Sequence, residues 1–222
     1  PVLSSPRSKQ TLIGKTYLDE FGESHSCHQL VRSAISGQVP SAGVGTFLSR
    51  KGLELYKLKK GAIFNQDSLT EDYELGLNCS FIGISSAFYS AYYFENEKKN
   101  YIATYECFPQ KFWPSVKQKT RWTYGISIQG WQSQGWRKNI RQDFFLFRDR
   151  KNIILNIFTP IGYVLFFCGY FFSYEKALPD WLAKLIVINL SFLFFRMLYR
   201  AYLMREIYGV KEAMGKAAGI FL

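Results

Sequence analysis

The chain has 222 residues, enough for one domain of ordinary size and an additional membrane element. Lysine and arginine total 28 against 17 acidic residues, the net charge is +11 and aromatic residues reach 18 %, so nucleic acid or an anionic membrane surface is favoured as a partner. The four cysteines are scattered without a CxxC pair, which excludes a disulfide framework and favours a reducing compartment.

The first predicted element is a helix near the N-terminus. Tyr17, Phe21 and His25 recur at every fourth residue, so they share one face and predict a helix over residues 16–36. The chain starts at Pro1 without an initiator methionine or a signal peptide, and we expect a fragment whose N-terminal portion is missing.

A loop of small residues comes next and leads into two short elements. Residues 38–46 contain Pro40, Gly43 and Gly45 and are predicted to be irregular. The other predictions in this region are a strand at 47–49 and a helix at 53–59.

The following helix carries the first group of residues that are suited to chemistry. Ser68 and Glu71 have the spacing of a capping box, which predicts a helix start at this point. The helix is predicted to place Tyr73, Leu77 and Phe81 on one stripe.

The middle of the chain is predicted to be β-structure. Residues 82–94 and 101–108 are rich in aromatic and β-branched side chains, and the charged run 95–100 between them is typical of a turn. We therefore expect a hairpin or two successive strands.

A second helix that carries residues suited to chemistry is predicted to begin near Pro114, because proline is favoured in a first turn. Gln118, Arg121 and Trp122 are spaced by three and four residues, so they lie on one face of it. An amide, a permanent cation and an aromatic ring on one face suit a sugar and a diphosphate.

The C-terminal part is predicted to contact and cross a bilayer. Tryptophan and phenylalanine are mixed with arginine and lysine over residues 131–151, as in segments that lie in the headgroup layer. The 23 uncharged residues 152–174 can form one span, which needs roughly 20 residues, and Pro160 and Gly162 are expected to kink it. A second span is predicted from Trp181 to about Tyr199.

The charges around these spans predict their orientation. Both outer flanks are rich in arginine and lysine, whereas the turn 175–180 carries one lysine and two acidic residues. The positive-inside rule therefore places both flanks in the cytoplasm. The prediction is a two-helix transmembrane hairpin that anchors a cytoplasmic domain.

Asp72 is the leading candidate for a general base. Transfer of a sugar to a hydroxyl group needs a residue that takes the proton of the acceptor, and a carboxylate in a first helical turn is rigidly held. The structural alternative is that acidic residues favour helix N-termini for dipole reasons alone.

The second motif supports a catalytic interpretation. Arg121 can neutralise a diphosphate leaving group, Trp122 can stack on a pyranose ring, and Gln118 can bind sugar hydroxyls. The structural alternative is an amphipathic helix with Trp122 in the core and Arg121 in solvent. Both motifs occur in this order directly before a membrane hairpin, which favours the functional interpretation.

Three other patterns are weaker. The loop 41–46 can bring backbone N–H groups close to a ligand, but it matches no phosphate or dinucleotide fingerprint. His25, Cys27 and His28 match no common zinc spacing, so no metal ligands are predicted in this chain. Nucleic-acid binding by the basic aromatic segment is disfavoured, because that segment adjoins the first span.

The Thr70-Glu71-Asp72 triplet followed by Gln118-x-x-Arg121-Trp122 resembles the C-terminal signature of processive, inverting family-2 glycosyltransferases, the group of the bacterial cellulose and hyaluronan synthases. Residues 16–21, 39–46 and 68–73 are similar to an inner-membrane branch of that family that is linked to phage adsorption. The resemblance implies an α/β fold, the C-terminal half of a GT-A type glycosyltransferase domain followed by the two-helix transmembrane hairpin. The expected organisation is an acceptor-side half-domain at 1–130, an amphipathic interfacial segment at 131–151, the hairpin at 152–204 and the start of a cytoplasmic continuation at 205–222.

The resemblance also implies roles for individual residues. Asp72 corresponds to the base, and the other substrate-binding residues are Thr70, Glu71, Gln118, Arg121, Trp122, Ser41, Gly43 and Gly45. Such enzymes use a nucleotide-sugar donor with Mg²⁺ or Mn²⁺ bound through an Asp-x-Asp motif. No Asp-x-Asp occurs in this chain, so we expect the metal ligands in the full-length enzyme only and an inactive fragment.

The implied function is a membrane-bound inverting glycosyltransferase of the hexosyltransferase type in the bacterial inner membrane, which extends a cell-surface or secreted polysaccharide. The expected partners are a nucleotide sugar, a polysaccharide acceptor, the lipid bilayer and an outer-membrane export or phage-receptor protein, without nucleic acid. The alternative is a non-enzymatic inner-membrane scaffold, or a phage-receptor or export subunit, that keeps a degenerate transferase domain.

Overall fold

The computed structural model describes residues 1–5, 11–171 and 179–209. This part of the chain mixes α-helices with short β-strands and is mostly helical. It divides into two compact units, Pro1–Asn152 and the residues from Ile153 onward.

The first helices of the first unit form one continuous helical run. Helix α1 (Leu12–Glu23) passes through a π-helical turn (Ser24–His28) into helix α2 (Gln29–Ser36). Thr11 caps α1, because its side chain accepts a hydrogen bond from the N–H of Gly14 at 3.0 Å. The helix predicted over 16–36 is confirmed, and the threonine cap places its start earlier than the prediction.

The predicted strand at 47–49 is wrong. These residues belong to the loop before helix α3 (Arg50–Lys60), and the Ser49 side chain caps that helix by accepting the N–H of Gly52 at 3.1 Å. Phe47 is 94 % exposed, so no sheet covers it. The helix predicted at 53–59 is confirmed.

Helix α4 (Glu71–Phe81) confirms the predicted helix but not its capping box. Thr70 is the cap residue and makes no side-chain cap, whereas the Ser68 hydroxyl accepts the N–H of Thr70 at 3.4 Å within the preceding loop. The predicted stripe lies inward, because Tyr73 and Leu77 are buried.

The β-structure of the middle region is shorter than predicted. Strands β2 (Tyr92–Glu95) and β3 (Lys98–Tyr101) form an antiparallel hairpin. Asn96 and Glu97 have positive φ angles of 50° and 61°, as a two-residue primed turn requires. The hairpin is confirmed, but its second strand occupies residues that were predicted to form the turn, and 82–91 contains no strand until Tyr92.

A second pairing joins distant parts of the chain. Strand β1 (Val2–Ser4) runs parallel to strand β4 (Thr104–Glu106), with Leu3 opposite Tyr105. Val2 and Leu3 are buried. A parallel pair between residues about a hundred positions apart has no local sequence signal.

The rest of the first unit is helical. Helix α5 (Phe112–Thr123) continues through a second π-helical turn (Tyr124–Gln129) into helix α6 (Gly130–Gln134), and helix α7 (Ile140–Arg150) follows. Pro114 lies in the first turn of α5, as predicted. Helix α7 covers half of the predicted interfacial segment 131–151, and the segment belongs to the first unit.

Helix α4 is the centre of the core. One cluster of buried residues consists of Tyr56, Leu75 and Cys79, and another of Tyr73, Leu77 and Leu146. The first joins α4 to α3 and the second joins it to α7. Because both sides of α4 are packed, its N-terminal turn and Asp72 are held by the body of the unit.

The second unit contains helices α8 (Asn152–Phe171) and α9 (Asp180–Tyr208). In the described part of the chain one helix, α9 with 29 residues, is long and apolar enough to cross a membrane, whereas the apolar stretch within α8 is the shorter Asn152–Leu165. Helix α8 continues through Pro160. The predicted turn at 175–178 and the continuation beyond 209 lie outside the described residues, and the two-span hairpin stays a prediction.

Candidate active site

The loop that contains Ser41 lies directly on helix α4. A Cβ atom at Gly76 would overlap the backbone of Val39 and Ser41, so only glycine allows this close approach. Gly76 lies one helical turn after Asp72. The contact therefore brings the loop across the same side of the helix as the proposed base.

The tip of this loop borders the Asp72 carboxylate. Gly43 has a φ of 81°, and a Cβ atom built on it would lie 3.2 Å from Oδ2 of Asp72. The Ser41 hydroxyl accepts the N–H of Gly43 at 3.0 Å and shares a 2.6 Å hydrogen bond with the Thr46 hydroxyl. Ser41 and Gly43 therefore lie in a closed loop beside Asp72, and Gly45, with a φ of 69°, belongs to the same loop.

Asp72 is half-buried in the first turn of α4. Its Oδ1 accepts the N–H of Tyr73 at 2.8 Å. Burial raises the pKa of the Asp72 carboxyl, the neighbouring Glu71 raises it further, and the N–H of Tyr73 and the charge of Arg121 oppose the change. A carboxylate with a raised pKa is a stronger proton acceptor than an ordinary aspartate.

Arg121 connects the second motif to the first. Its Nη1 donates to the carbonyl oxygen of Leu69 at 3.3 Å, immediately before the Thr-Glu-Asp triplet. Its charge is close enough to act on the pKa of Asp72. The structure thus places Arg121 and Asp72, which are far apart in sequence, at one site.

Gln129 strengthens the same connection and was not predicted. Its Oε1 accepts the N–H of Leu69 at 2.9 Å, and its Nε2 donates to the carbonyl oxygen of Asp67 at 3.2 Å. The second π-helical turn therefore holds the loop before α4 by two hydrogen bonds. No motif in the sequence marks Gln129.

Thr70 and Glu71 differ in their surroundings. Thr70 is buried, and a Cβ atom at Gly125 would lie 2.6 Å from its hydroxyl oxygen, so the second π-helical turn packs closely on it. Glu71 is exposed at the start of α4. Thr70 thus fixes the position of the helix start, whereas Glu71 stays accessible.

Trp122 faces the α1 side of the unit, and Gln118 lies one turn earlier on α5. Trp122 is half-buried and packs edge-on against Tyr17, Phe21 and Phe108 at centroid distances of 6.2, 5.9 and 6.2 Å. This packing agrees with the structural alternative for Trp122. Gln118 is half-buried, and its Oε1 has no hydrogen-bond partner among the residues that the structure describes.

A cavity of about 710 Å³ lies on the other side of the Ser41 loop. Its lining includes Ser41, Gly45, Thr46 and Ser86, and among the described residues that line it there is no lysine, arginine, aspartate or glutamate side chain. Most of the other lining residues are apolar, so the cavity combines apolar walls with a few hydroxyl groups and suits an uncharged molecule. Asp72 does not line it.

His25 also lines this cavity, from the first π-helical turn. Its ring stacks on Phe21 at 5.4 Å and lies 5.8 Å from Phe88. Burial lowers the pKa of His25 to about 4, so the imidazole is neutral at physiological pH. The helical repeat predicted its face but not its place in a cavity.

The residues of the described ranges do not fit a divalent metal. They contain no group of three or more histidine, cysteine, aspartate or glutamate side chains that could hold one. His28 lies 3.5 Å from Glu23, and His25 lies in an aromatic environment instead. We therefore assign no chemical step to a metal held by these residues.

The chain is similar to known proteins over nearly its whole length. Residues 2–209 match the family described as glycosyl transferase family group 2. The chain is 31 % identical over its whole length to Bacteriophage adsorption protein B of Escherichia coli (strain K12) and to Bacteriophage N4 adsorption protein B of Escherichia coli O157:H7. It spans 33 % of the length of each of these relatives. No solved structure matches it significantly.

Proposed function

The chain belongs to glycosyl transferase family group 2, and on this basis we propose that it is the acceptor-side, C-terminal half of a GT-A type domain. In the full-length protein this domain transfers a sugar from a nucleotide sugar to a polysaccharide hydroxyl with inversion. The observation that carries the proposal is the convergence of Asp72 and Arg121 where α5 holds the start of α4. The length of the relatives, about three times that of the chain, leaves room for a donor-binding half.

In this proposal Asp72 is the general base. The acceptor oxygen attacks the anomeric carbon while its proton moves to an Asp72 carboxylate oxygen, and the bond from that carbon to the diphosphate breaks. The Oδ1 atom is held by the Tyr73 N–H, so Oδ2, which faces Gly43, is the oxygen that takes the proton. The half-buried setting supports this role.

Arg121 stabilises the leaving group. The electron pair of the broken bond goes to the diphosphate, which gains negative charge in the transition state. Among the described residues, the exposed Arg121 guanidinium makes one hydrogen bond, to Leu69, so further N–H groups stay available for phosphate oxygens. Gln118, Trp122, Thr70 and Glu71 complete the substrate site in this proposal.

The loop with Ser41, Gly43 and Gly45 forms the acceptor side. It borders Asp72 on one side and the uncharged cavity on the other. Hydroxyl groups and backbone N–H groups without charged side chains suit a sugar chain better than a diphosphate. We assign the donor diphosphate to the Arg121 side and the acceptor sugar to the loop side.

The remaining parts of the proposal concern the setting of the enzyme. Helix α9 and the apolar part of α8 form a hairpin in the bacterial inner membrane, residues 131–151 lie at its surface, and the catalytic domain is cytoplasmic. Mg²⁺ or Mn²⁺ supplies charge neutralisation of the diphosphate when it is bound in the full-length enzyme, through residues outside those described here. A further proposed partner is an outer-membrane export or phage-receptor protein; the names of the relatives refer to bacteriophage adsorption only.

The experiment that tests the proposal uses the full-length protein in membranes. Release of nucleoside diphosphate is measured over a panel of nucleotide sugars for wild type and Asp72→Asn. We expect release with one donor and its loss in the variant. Release that persists in Asp72→Asn would remove Asp72 as the base.

The second candidate is a non-enzymatic inner-membrane scaffold. The names of the relatives refer to bacteriophage adsorption and not to catalysis, which favours this alternative. It predicts no diphosphate release with any donor from a folded protein, and phage adsorption that does not depend on Asp72 or Arg121.

A further inference from the structure

Three helices of the first unit meet at a single carboxylate oxygen. Arg32 of α2 donates from Nη1 to Oδ2 of Asp149 on α7 at 2.8 Å. The hydroxyl group of Tyr73 on α4 donates to the same oxygen at 2.6 Å. Arg32 is 4 % exposed, so this ion pair is largely shielded from water.

Two further groups extend the network, in which Nε of Arg32 and Nε2 of Gln38 have no hydrogen-bond partner among the described residues. Nη2 of Arg32 donates to Oε1 of Gln38 at 3.1 Å, and the Ser127 hydroxyl donates to the backbone carbonyl of Asp149 at 2.9 Å. The Arg32 guanidinium also lies 5.6 Å from the ring centroid of Phe145. Burying an ion pair gives little net stability, because desolvation offsets the attraction, but removing one partner is strongly destabilising because it leaves an uncompensated buried charge.

The protonation states agree with this arrangement. Burial raises the pKa of the Tyr73 hydroxyl well above its ordinary value, and the Asp149 charge raises it further, so the hydroxyl stays a donor. Burial lowers the pKa of Arg32, but the interactions with Asp149 and Tyr73 raise it by more. The net result is a raised pKa. The Tyr73 hydroxyl and the Arg32 guanidinium therefore both stay protonated donors at physiological pH.

A single peptide bond connects this network to the proposed base. Tyr73 follows Asp72 in the sequence, and its N–H donates to Oδ1 of Asp72 at 2.8 Å. The Tyr73 hydroxyl is anchored on Asp149, and its backbone anchors the Asp72 carboxylate. The orientation of the carboxylate thus depends on α7, which is separated from α8 by the single residue Lys151.

We propose that Arg32, Tyr73 and Asp149 are positioning residues for the transfer reaction, which hold the first turn of α4 against α7 and so orient the Asp72 carboxylate. The inference rests on the proposed function, since it takes Asp72 as the base. None of the three residues needs to touch a substrate. Their loss lowers kcat through misplacement of Asp72 and leaves binding of the nucleotide sugar almost unchanged.

The chain offers a matched pair of variants for the test. Tyr73→Phe removes the hydroxyl group that donates to Asp149. Tyr56→Phe is the control, because Tyr56 is also buried against α4 and its hydroxyl accepts a hydrogen bond from Asn78 of α4 at 3.2 Å. Both variants remove one hydroxyl at the same helix, but Asn78 lies more than a turn away from Asp72.

Kinetics are measured on the full-length protein in membranes. Tyr73→Phe is expected to lower kcat by about 10- to 100-fold, the size of effect that a small misplacement of a catalytic group produces, with little change in KM for the donor. The acid limb of its kcat profile moves to higher pH, because a looser first turn weakens the Tyr73 N–H bond that lowers the pKa of Asp72. Tyr56→Phe is expected to change neither. If both variants behave alike, the inference is overturned.

Amide hydrogen exchange of the same proteins separates this inference from the proposed function. Tyr73→Phe is expected to raise exchange in residues 68–76 and 140–150 together, whereas Tyr56→Phe leaves 140–150 unchanged. A wild type without turnover on any donor would defeat the proposed function, and the exchange data would still decide whether α7 holds the first turn of α4. Unchanged exchange in both segments of Tyr73→Phe would overturn the inference even in an active enzyme.

Discussion

The two ends of helix α4 are built differently. Its N-terminal turn and the residue before it make polar contacts: Tyr73 donates to Asp149 of α7, and the backbone of Leu69 bonds to Arg121 of α5 and to Gln129 of the second π-helical turn. Its later turns, residues 75–81, pack by apolar contacts against α3 and α7. Apolar packing supplies stability without strict orientation, whereas hydrogen bonds fix direction. Helix α4 is therefore stabilised mainly by its later turns and oriented mainly by its N-terminal turn.

The largest effect is expected from Asp72→Asn, which keeps the shape of the side chain but removes the carboxylate that is the proposed base. Transfer should fall by about 10²- to 10⁴-fold, the usual contribution of general acid–base catalysis. Nucleoside diphosphate release by the full-length protein measures it. Glu54→Gln on α3, an exposed carboxylate paired with Arg50, is the control and should behave as wild type.

Arg121→Ala should have the next largest effect. It removes charge stabilisation of the leaving diphosphate, and a loss of about 10²- to 10³-fold in rate is expected by analogy with a lost oxyanion donor. Lys117→Ala, one turn earlier on α5 and also exposed, controls for the loss of a surface cation. Near-normal turnover of Arg121→Ala would count against its assignment.

The contact between the middle of α4 and the Ser41 loop can be tested with a larger side chain at Gly76. Gly76→Ala forces a Cβ atom into the backbone of Val39 and Ser41, and overpacking of this kind costs about 1–3 kcal/mol of unfolding free energy. In Gly125→Ala the new atom meets the Thr70 side chain, which can adjust more easily than backbone. Thermal unfolding should therefore show a larger loss for Gly76→Ala. The reverse order would show that the loop yields more readily than Thr70.

The smallest expected effect concerns pH. Burial raises the pKa of Asp72, and Glu71 raises it further, so the base form is lost on acidification at a higher pH than for an ordinary aspartate. Glu71→Gln removes the second contribution, and the acid limb of the kcat profile should move to lower pH. A shift in the opposite direction would mean that Glu71 acts on Asp72 other than by its charge.

The family and several elements were predictable from local patterns. The two motifs and the longer strings identify a family-2 glycosyltransferase, and the family match confirms this. The helices predicted from repeats of three and four residues are confirmed, because burial of one helical face leaves a periodic record in the sequence. The strand at 47–49 and the Ser68–Glu71 capping box were wrong, since a short stretch can satisfy either a strand or a helix cap.

By itself, the sequence determined which residue types are present at the site and on which helices they lie. It placed Asp72 in a first turn and Gln118, Arg121 and Trp122 on one helix, since these depend on spacing alone. Only the tertiary structure decided that Arg121 reaches Leu69, that Gln129 ties down the same loop, and that Asp149 joins Arg32 to Tyr73. The physical reason is distance along the chain: contacts between residues 50 to 120 positions apart depend on how whole helices pack, which no local pattern records.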